Sequence, residues 1–237
     1  MYYAEIIISS AIVLVAALSV SLKKIDIKGA TVGVAMAFII WIGIGEVVLL
    51  ALFTFFVLGT LASSWKKEQK SVLKLAQEND GKRSIRNVLS NGGVACILSF
   101  IAFLLPDYHT TFFTMAIGSF AVACSDTLSS EIGNIYGRKY FNIISWKSAS
   151  RGVDGVVSME GLLVGIFGSA VIAALPMLFH IDWKLFAIVT ASGFLGNIMD
   201  SILGATLQRI GLLNNHGVNF WATASGASIS LAATIFT

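Results

Sequence analysis

The run "GATVGVAMAFIIWIGIGEVVLLALFTFFVLGTLASSW", Gly29 to Trp65, is far longer than the roughly 20 apolar residues that one membrane crossing needs. Only "GIGE", Gly43 to Glu46, interrupts it. As one tilted helix it crosses once; as two spans it is a tight hairpin. Charge chooses between these. With two spans and the N-terminus outside, all 16 basic residues except Lys184 fall on the cytoplasmic side: Lys23, Lys24, Lys28, the run from Lys66 to Arg86, Arg138, Lys139, Lys147, Arg151 and Arg209. Merging the two spans sets the first basic loop opposite the second, against the positive-inside tendency.

The remaining apolar runs follow the same alternation, so eight spans are expected at about 4–22, 29–45, 46–65, 88–105, 110–129, 156–179, 185–207 and 219–236, N-out and C-out. Composition supports this class: 56% of residues are hydrophobic and 12% charged, against about 25% charged in soluble domains. A spanning helix satisfies its own backbone without water, and no alternating barrel strands are visible. The fold class expected is therefore all-α, a polytopic transmembrane helical bundle forming a single domain over 1–237. The first run has no basic segment before it and is followed by Lys23 and Lys24, which reads as a retained anchor. Cys96 and Cys124 lie in apolar runs and read as packing residues. The basic excess reads as a topology signal and a rim facing anionic lipid, and no nucleic acid partner is expected.

Two halves of the chain look alike. "NGGVACILSFIAFLLP" followed by "FTMAIGSFAVACSDTLSSEIG" parallels "VVSMEGLLVGIFGSAVIAALP" followed by "FAIVTASGFLGNIMDSILGATLQ". Each enters through small residues, turns at Leu-Pro and returns to an Asp, as duplicated helical hairpins do. Residues 66–86 read as a cytoplasmic surface helix or helical hairpin ended by the turn signal "NDG". Their "GKRS" lacks the upstream glycine of a P-loop.

Acids inside a membrane segment mark function by default. Asp126, Glu160 and Asp200 fall in spans, each toward the cytoplasmic leaflet, and Glu131 lies just past the end of the fifth span. Residues three and four apart share a helix face. Asn197, Asp200, Ser201, Gly204 and Gln208 form one polar stripe, and Arg83, Asn87 and Asn91 another. Asp126 shares a face with Ser130, and Thr127 with Glu131. Five positions separate Asp126 from Glu131, so the two converge only if the helix ends or bends after Ser130. Glu160 lies off the ligand-facing side and reads as a pairing residue. His109, His180 and His216 fall in loops without metal spacing. Gly29-xxx-Gly33 and Gly161-xxx-Gly165 read as close helix packing.

Two chemistries fit carboxylates, amides and hydroxyls beside Lys and Arg at one membrane face. Carboxylates with phosphates hold Mg²⁺ for phosphoryl transfer driven by positioning and charge neutralisation. Alternatively, intramembrane acids carry ions through a transporter. In the first case Asp126, Glu131 and Asp200 bind Mg²⁺ and nucleotide phosphates, Asn87, Asn91, Ser130 and Gln208 orient phosphate or acceptor, and Lys67, Arg138 and Arg151 offset negative charge.

The blocks "SSWKK", "RNVLSNGGVA", "CSDTLSSEIG", "GVDGVVSMEG", "LGNIMDSILGATLQ" and "NNHGVN", in this order, resemble the integral membrane family catalogued as domain of unknown function ninety-two. That family includes a plant phytyl-phosphate kinase and is distantly similar to CTP-dependent lipid kinases and cytidylyltransferases. The residues that match its blocks are Lys67, Asn87, Asn91, Asp126, Ser130, Glu131, Gly155, Ser158, Asp200, Ser201, Gly204, Gln208 and Asn219. The run "RGVDGVVS" departs from it, with Asp154 at the family's Asn and Val156 at a Gly; Asp154, Ser158, Ser201 and Asn219 are expected among the substrate- and nucleotide-binding residues. The resemblance implies phosphoryl transfer from CTP or another nucleoside triphosphate, with Mg²⁺, to a membrane isoprenoid phosphate such as phytyl or geranylgeranyl phosphate. Cytidylyl transfer to a lipid phosphate is the neighbouring reaction. A homo-oligomer is compatible with the sequence.

Overall fold

The structure is a computed structural model in which residues 2–73, 75 and 81–236 are described. Gly45 answers the question posed by the long apolar run. Its φ of 100° is open to glycine and closed to most side chains, and it separates α2 (Ile27–Ile44) from α3 (Glu46–Ser64) by a single residue. The Gly45 N–H still donates to the carbonyls of Ile40 and Trp41, at 3.3 and 3.0 Å, so the reversal leaves no orphan donor. The run is two helices.

Before this hairpin comes α1 (Tyr2–Ser21), which packs on α2 and exposes most of its surface. After it come the short α4 (Lys67–Val72), α5 (Ile85–Leu104), α6 (His109–Tyr136), α7 (Met159–Ala174), α8 (Trp183–Leu203) and α9 (Asn215–Phe236). Seven stretches of helix are long and apolar enough to cross a membrane. The protein is a polytopic helical membrane bundle. The expected eighth span lies within α9, whose Asn215, His216, Asn219, Thr223 and Ser225 leave it short of that apolarity. Small residues carry the packing, as expected where lipid removes most of the hydrophobic drive between helices.

Helix α6 is the centre of the bundle. It packs against α3, α5, α7, α8 and α9, and Ile117, Phe120 and Ala121 on it are fully buried. Gly161 and Gly165 of α7 seat against Ser129 and Ser125 of α6, as their spacing suggested. Gly33 differs: nothing lies within 4 Å of where its side chain would begin, so the expected close packing does not form there.

The two similar hairpins turn in the same way, α5 to α6 through a 3₁₀ turn at Pro106–Tyr108 and α7 to α8 through one at Pro176–Leu178. Three features depart from expectation. Helix α6 continues to Tyr136 without a break, well past the expected end near 129. The chain also makes a small antiparallel pair, β1 (Tyr140–Asn142) with β2 (Val156–Ser158), in register Tyr140 to Ser158. Its second strand occupies the start of the expected sixth span. Finally, α8 runs into one π-helical turn, Gly204–Gln208, where the wider coil shifts the polar stripe at its end. Of the expected surface helix in 66–86, α4 is seen, while Asn79 and Asp80 of the "NDG" turn lie outside the described residues.

Candidate functional site

One end of the bundle gathers the starts of α2, α5, α7 and α9 and the ends of α1, α3, α6 and α8. Specific contacts hold this end together. Ile25 pairs with Arg83 as a parallel bridge, Lys24 Nζ donates to Ser64 Oγ at 2.9 Å, and Trp65 Nε1 donates to Tyr136 Oη at 3.0 Å. Within it opens a polar cavity of about 720 Å³, in the usual range for ligand sites.

Its walls come from five places. The entry to α5 supplies Lys82, Arg83, Arg86, Asn87 and Asn91; the last half of α6 supplies Asp126 and Ser130; the β1–β2 loop supplies Asp154 and Gly155. Asp200, Ser201 and Gln208 come from α8 and its π turn, and Asn215, His216 and Asn219 from the first turns of α9. Asp126 and Asp200, from the two similar hairpins, interact directly through their carboxyl groups, and Asp154 adds its charge to the field at Asp200. Among the described residues neither Asp126 nor Asp200 has a Lys or Arg ion-pair partner. The Asn219 amide, oriented so that both of its ends are satisfied, donates to Asp200 Oδ2 at 3.3 Å and to the Asn215 carbonyl at 3.0 Å.

The same cavity is also set for anions. Asn87 Oδ1 accepts from the Ser84 N–H and Oγ, both at 2.9 Å, and closes the first turn of α5. Asn214 Oδ1 accepts from the Gly217 N–H at 2.9 Å and caps α9. Both helix N-termini thus point positive dipole ends toward the cavity. Arg83 adds a full charge. Burial lowers its guanidinium to about 10 while Glu131 and Cys124 pull it the other way, so it stays protonated at neutral pH. Asn197 Nδ2 and His216 Nδ1 are buried without a partner among the described residues, which leaves two polar atoms for a ligand to satisfy.

The β1–β2 loop is fixed from both sides. Gly155, with φ of +73°, lies flush against Ala205 of the π turn, where no Cβ fits. Arg209 Nη2 and Nε donate to the Asp154 carbonyl at 2.8 and 3.2 Å. Tyr140 Oη donates to the Gly133 carbonyl at 2.9 Å, tying the hairpin to α6.

Of the site residues expected from sequence, Asn87, Asn91, Asp126, Ser130, Asp154, Ser158, Asp200, Ser201, Gln208 and Asn219 line this cavity; Lys67, Glu131, Arg138 and Arg151 do not. Ser158 also caps α7, its Oγ accepting from the Gly161 N–H at 3.1 Å. The clearest correction is Glu131. Because α6 does not bend after Ser130, Glu131 faces α3 and α4, where it is buried in an ion pair with Lys70 and accepts from Ser63 Oγ at 3.2 Å. Lys70 Nζ also donates to the Ala62 carbonyl at 2.7 Å. The expected cluster of Asp126, Glu131 and Asp200 is therefore two aspartates, and among the described residues no three of His, Cys, Asp and Glu stand close enough to hold an ion by themselves. Arg138 offers its backbone N–H to Glu160 at 3.3 Å, in keeping with a pairing role for that acid.

Residues that the sequence reading passed over also reach the cavity. His216, expected in a loop, sits in the first turn of α9; its signal was the block "NNHGVN" itself. Asn134 and Tyr140 arrive because α6 is longer than its apolar run.

A helical membrane protein with an oxygen-rich cavity at one end, lined by both acids and cations, is the class that fold and site define. The chain belongs to the integral membrane protein family DUF92, which it matches over residues 10–227. It is 33% identical to an uncharacterized membrane protein of Methanocaldococcus jannaschii, over 93% of this chain and 91% of that one. It is 30% identical to Protein VTE6, chloroplastic, of Arabidopsis thaliana, over 84% of this chain and 63% of that one. An uncharacterized membrane protein of Synechocystis sp. is 28% identical over 81% of this chain and 76% of its own. No solved structure matches.

Proposed function

We propose that this protein transfers the terminal phosphoryl group of CTP, or of another nucleoside triphosphate, to a membrane-anchored isoprenoid monophosphate, giving the diphosphate, with the cavity facing the cytoplasm. The observation that carries this reading is the direct meeting of Asp126 and Asp200 in one cavity with Lys82, Arg83, Arg86 and the N-termini of α5 and α9. Paired carboxylates without a basic partner suit a hard divalent cation. Amide and hydroxyl oxygens around them suit its hydrated shell, since Mg²⁺ keeps waters and completes its coordination with phosphate oxygens. Asp126 and Asp200 would hold Mg²⁺, which when bound would neutralise charge on the transferring phosphates.

The chain's own residues then do the following. Arg83, Lys82 and Arg86 take up phosphate charge, and Asn87 and Asn91 hold the acceptor head beside them. Ser201, Gln208 and Asn219 position the donor phosphates against the aspartates. The acceptor's phosphate oxygen, already ionised near neutral pH, forms the new bond to the γ-phosphorus. The bond from that phosphorus to the β-bridging oxygen breaks, and the nucleoside diphosphate leaves with the electron pair. No strong general base is needed, which agrees with a cavity in which His216 is the one imidazole among the described residues. Positioning and charge neutralisation supply the catalysis.

Purified protein incubated with geranylgeranyl or phytyl phosphate and labelled CTP tests this. The expected result is γ-label on the lipid. Transfer of α-label with release of pyrophosphate would replace it with cytidylyl transfer. No nucleotide consumption across a panel of lipid phosphates and alcohols would reject both.

A further inference from the structure

We infer that the narrow apolar groove between α1, α2, α3 and α5 holds the hydrocarbon chain of the acceptor, a single prenyl chain whose phosphate enters the polar cavity at Arg83 and Asn87. This rests on the proposed lipid-phosphate reading and names where that lipid lies. The groove is lined almost wholly by carbon, including Met36, Leu52, Phe53 and Phe56; of its polar residues, Ser19 spends its hydroxyl on the Val15 carbonyl at 2.7 Å, while Arg83 and Asn87 also line the polar cavity. A ligand with an anionic head and an apolar tail therefore finds both surfaces joined at one point. Arg83 is built into that junction: its guanidinium lies 4.8 Å from the centre of the Phe55 ring and 5.8 Å from that of Phe56, with Gly59 leaving it the room. The charge is presented at the edge of an aromatic wall, where a phosphate can meet it while the attached chain stays out of water.

Volume bears on the occupant. The groove encloses about 80 Å³, room for part of one slender chain and not for two side by side, so a glycerophospholipid would have to leave one acyl chain outside. Gly33 lies on its wall with open space where a side chain would start. That absence keeps the groove open, because any larger residue at 33 would project into it. Helical glycine is otherwise a cost that alanine would relieve.

Filling the groove tests the assignment. Gly33→Trp adds a ring with no backbone clash, and Gly33→Leu is a milder second variant. Val57→Trp, on the exposed face of α3, is the control. The expected result is a fall of about tenfold or more in kcat/KM for geranylgeranyl phosphate in Gly33→Trp, since buried methylenes lose their contacts, while dimethylallyl phosphate is turned over within about twofold of wild type. Equal turnover of the long substrate in Gly33→Trp and Val57→Trp would overturn the groove assignment.

A second measurement does not depend on turnover. Geranylgeranyl phosphate carrying a terminal diazirine should label α2 and α3 peptides in the wild-type protein, lose that labelling in Gly33→Trp, and resist competition by phosphatidic acid. Labelling confined to other helices, or equal competition by phosphatidic acid, would overturn the assignment even if the kinase reaction proceeds. Groove labelling without phosphoryl transfer would instead uphold the groove and reject the reaction.

Discussion

A carboxylate in mid-membrane costs roughly 2.5 to 3.5 kcal/mol on insertion scales, and this chain sets Asp126 and Asp200 against each other. Two carboxyl groups that meet cannot both stay ionised without a proton or a cation between them, so Asp126→Asn or Asp200→Asn should leave a folded, extractable protein whose phosphoryl transfer falls by about a hundredfold or more. Chelation by EDTA should give the same loss, reversed by Mg²⁺. Full activity in Asp126→Asn would refute the metal-site assignment. Glu131 belongs to a different argument. Its partner Lys70 is the bulkiest fully buried side chain among the described residues, and removing one member of a buried pair leaves an uncompensated charge costing about 3 to 5 kcal/mol. Glu131→Ala should therefore lower the melting temperature in detergent sharply. The double change Glu131→Leu with Lys70→Met should recover most of it, because neither charge is then stranded. A loss of turnover without loss of stability in Glu131→Gln would return this acid to the site.

The β1–β2 loop shows how elements position the site. Gly155 combines a left-handed backbone with contact against Ala205, so Gly155→Ala should cost about 1 to 3 kcal/mol of local strain. A raised KM for nucleotide with a smaller change in kcat, measured by steady-state kinetics, is the expected signature of a loop displaced from the cavity wall. This loop was the least legible part of the sequence. Two three-residue strands joined through thirteen residues carry no period-2 pattern, and the apolar side chains of Val156 and Val157 merge with the run that follows. The long helices were legible because hydrocarbon demands a continuous apolar run. The polar extension of α6 from Ser130 to Tyr136 was not, because past the membrane a helix needs only packing, here from α3 and α7. The same extension explains why Glu131 lies elsewhere, while both polar stripes reached the cavity although each is interrupted: Arg83 stands in a bridge before Asn87 and Asn91 of α5, and a π turn separates Asp200 and Ser201 from Gln208.

At the scale of the molecule, an antiparallel bundle places everything that starts or ends at the cavity on one side of the membrane, so orientation and function are one question. The proposed function needs the cavity on the cytoplasmic side, where nucleotide is available, and the segments around it hold Lys82, Arg83, Arg86, Arg138, Lys139, Lys147 and Arg151, a bias that favours that orientation. Around the two Leu-Pro turns at the opposite end stand Asp107, His109, His180 and Asp182, and Lys184 is the only Lys or Arg there among the described residues. Single cysteines report sidedness in a background where Cys96 and Cys124 are replaced by alanine. Ser150→Cys, exposed in the β1–β2 loop, should react with a membrane-impermeant maleimide only after permeabilisation, whereas His180→Cys, exposed in the turn between α7 and α8, should react in intact cells. The reverse pattern would put the acidic pair, the cationic wall and the junction with the apolar groove outside, out of reach of CTP, and would leave a transporter as the better account of intramembrane acids.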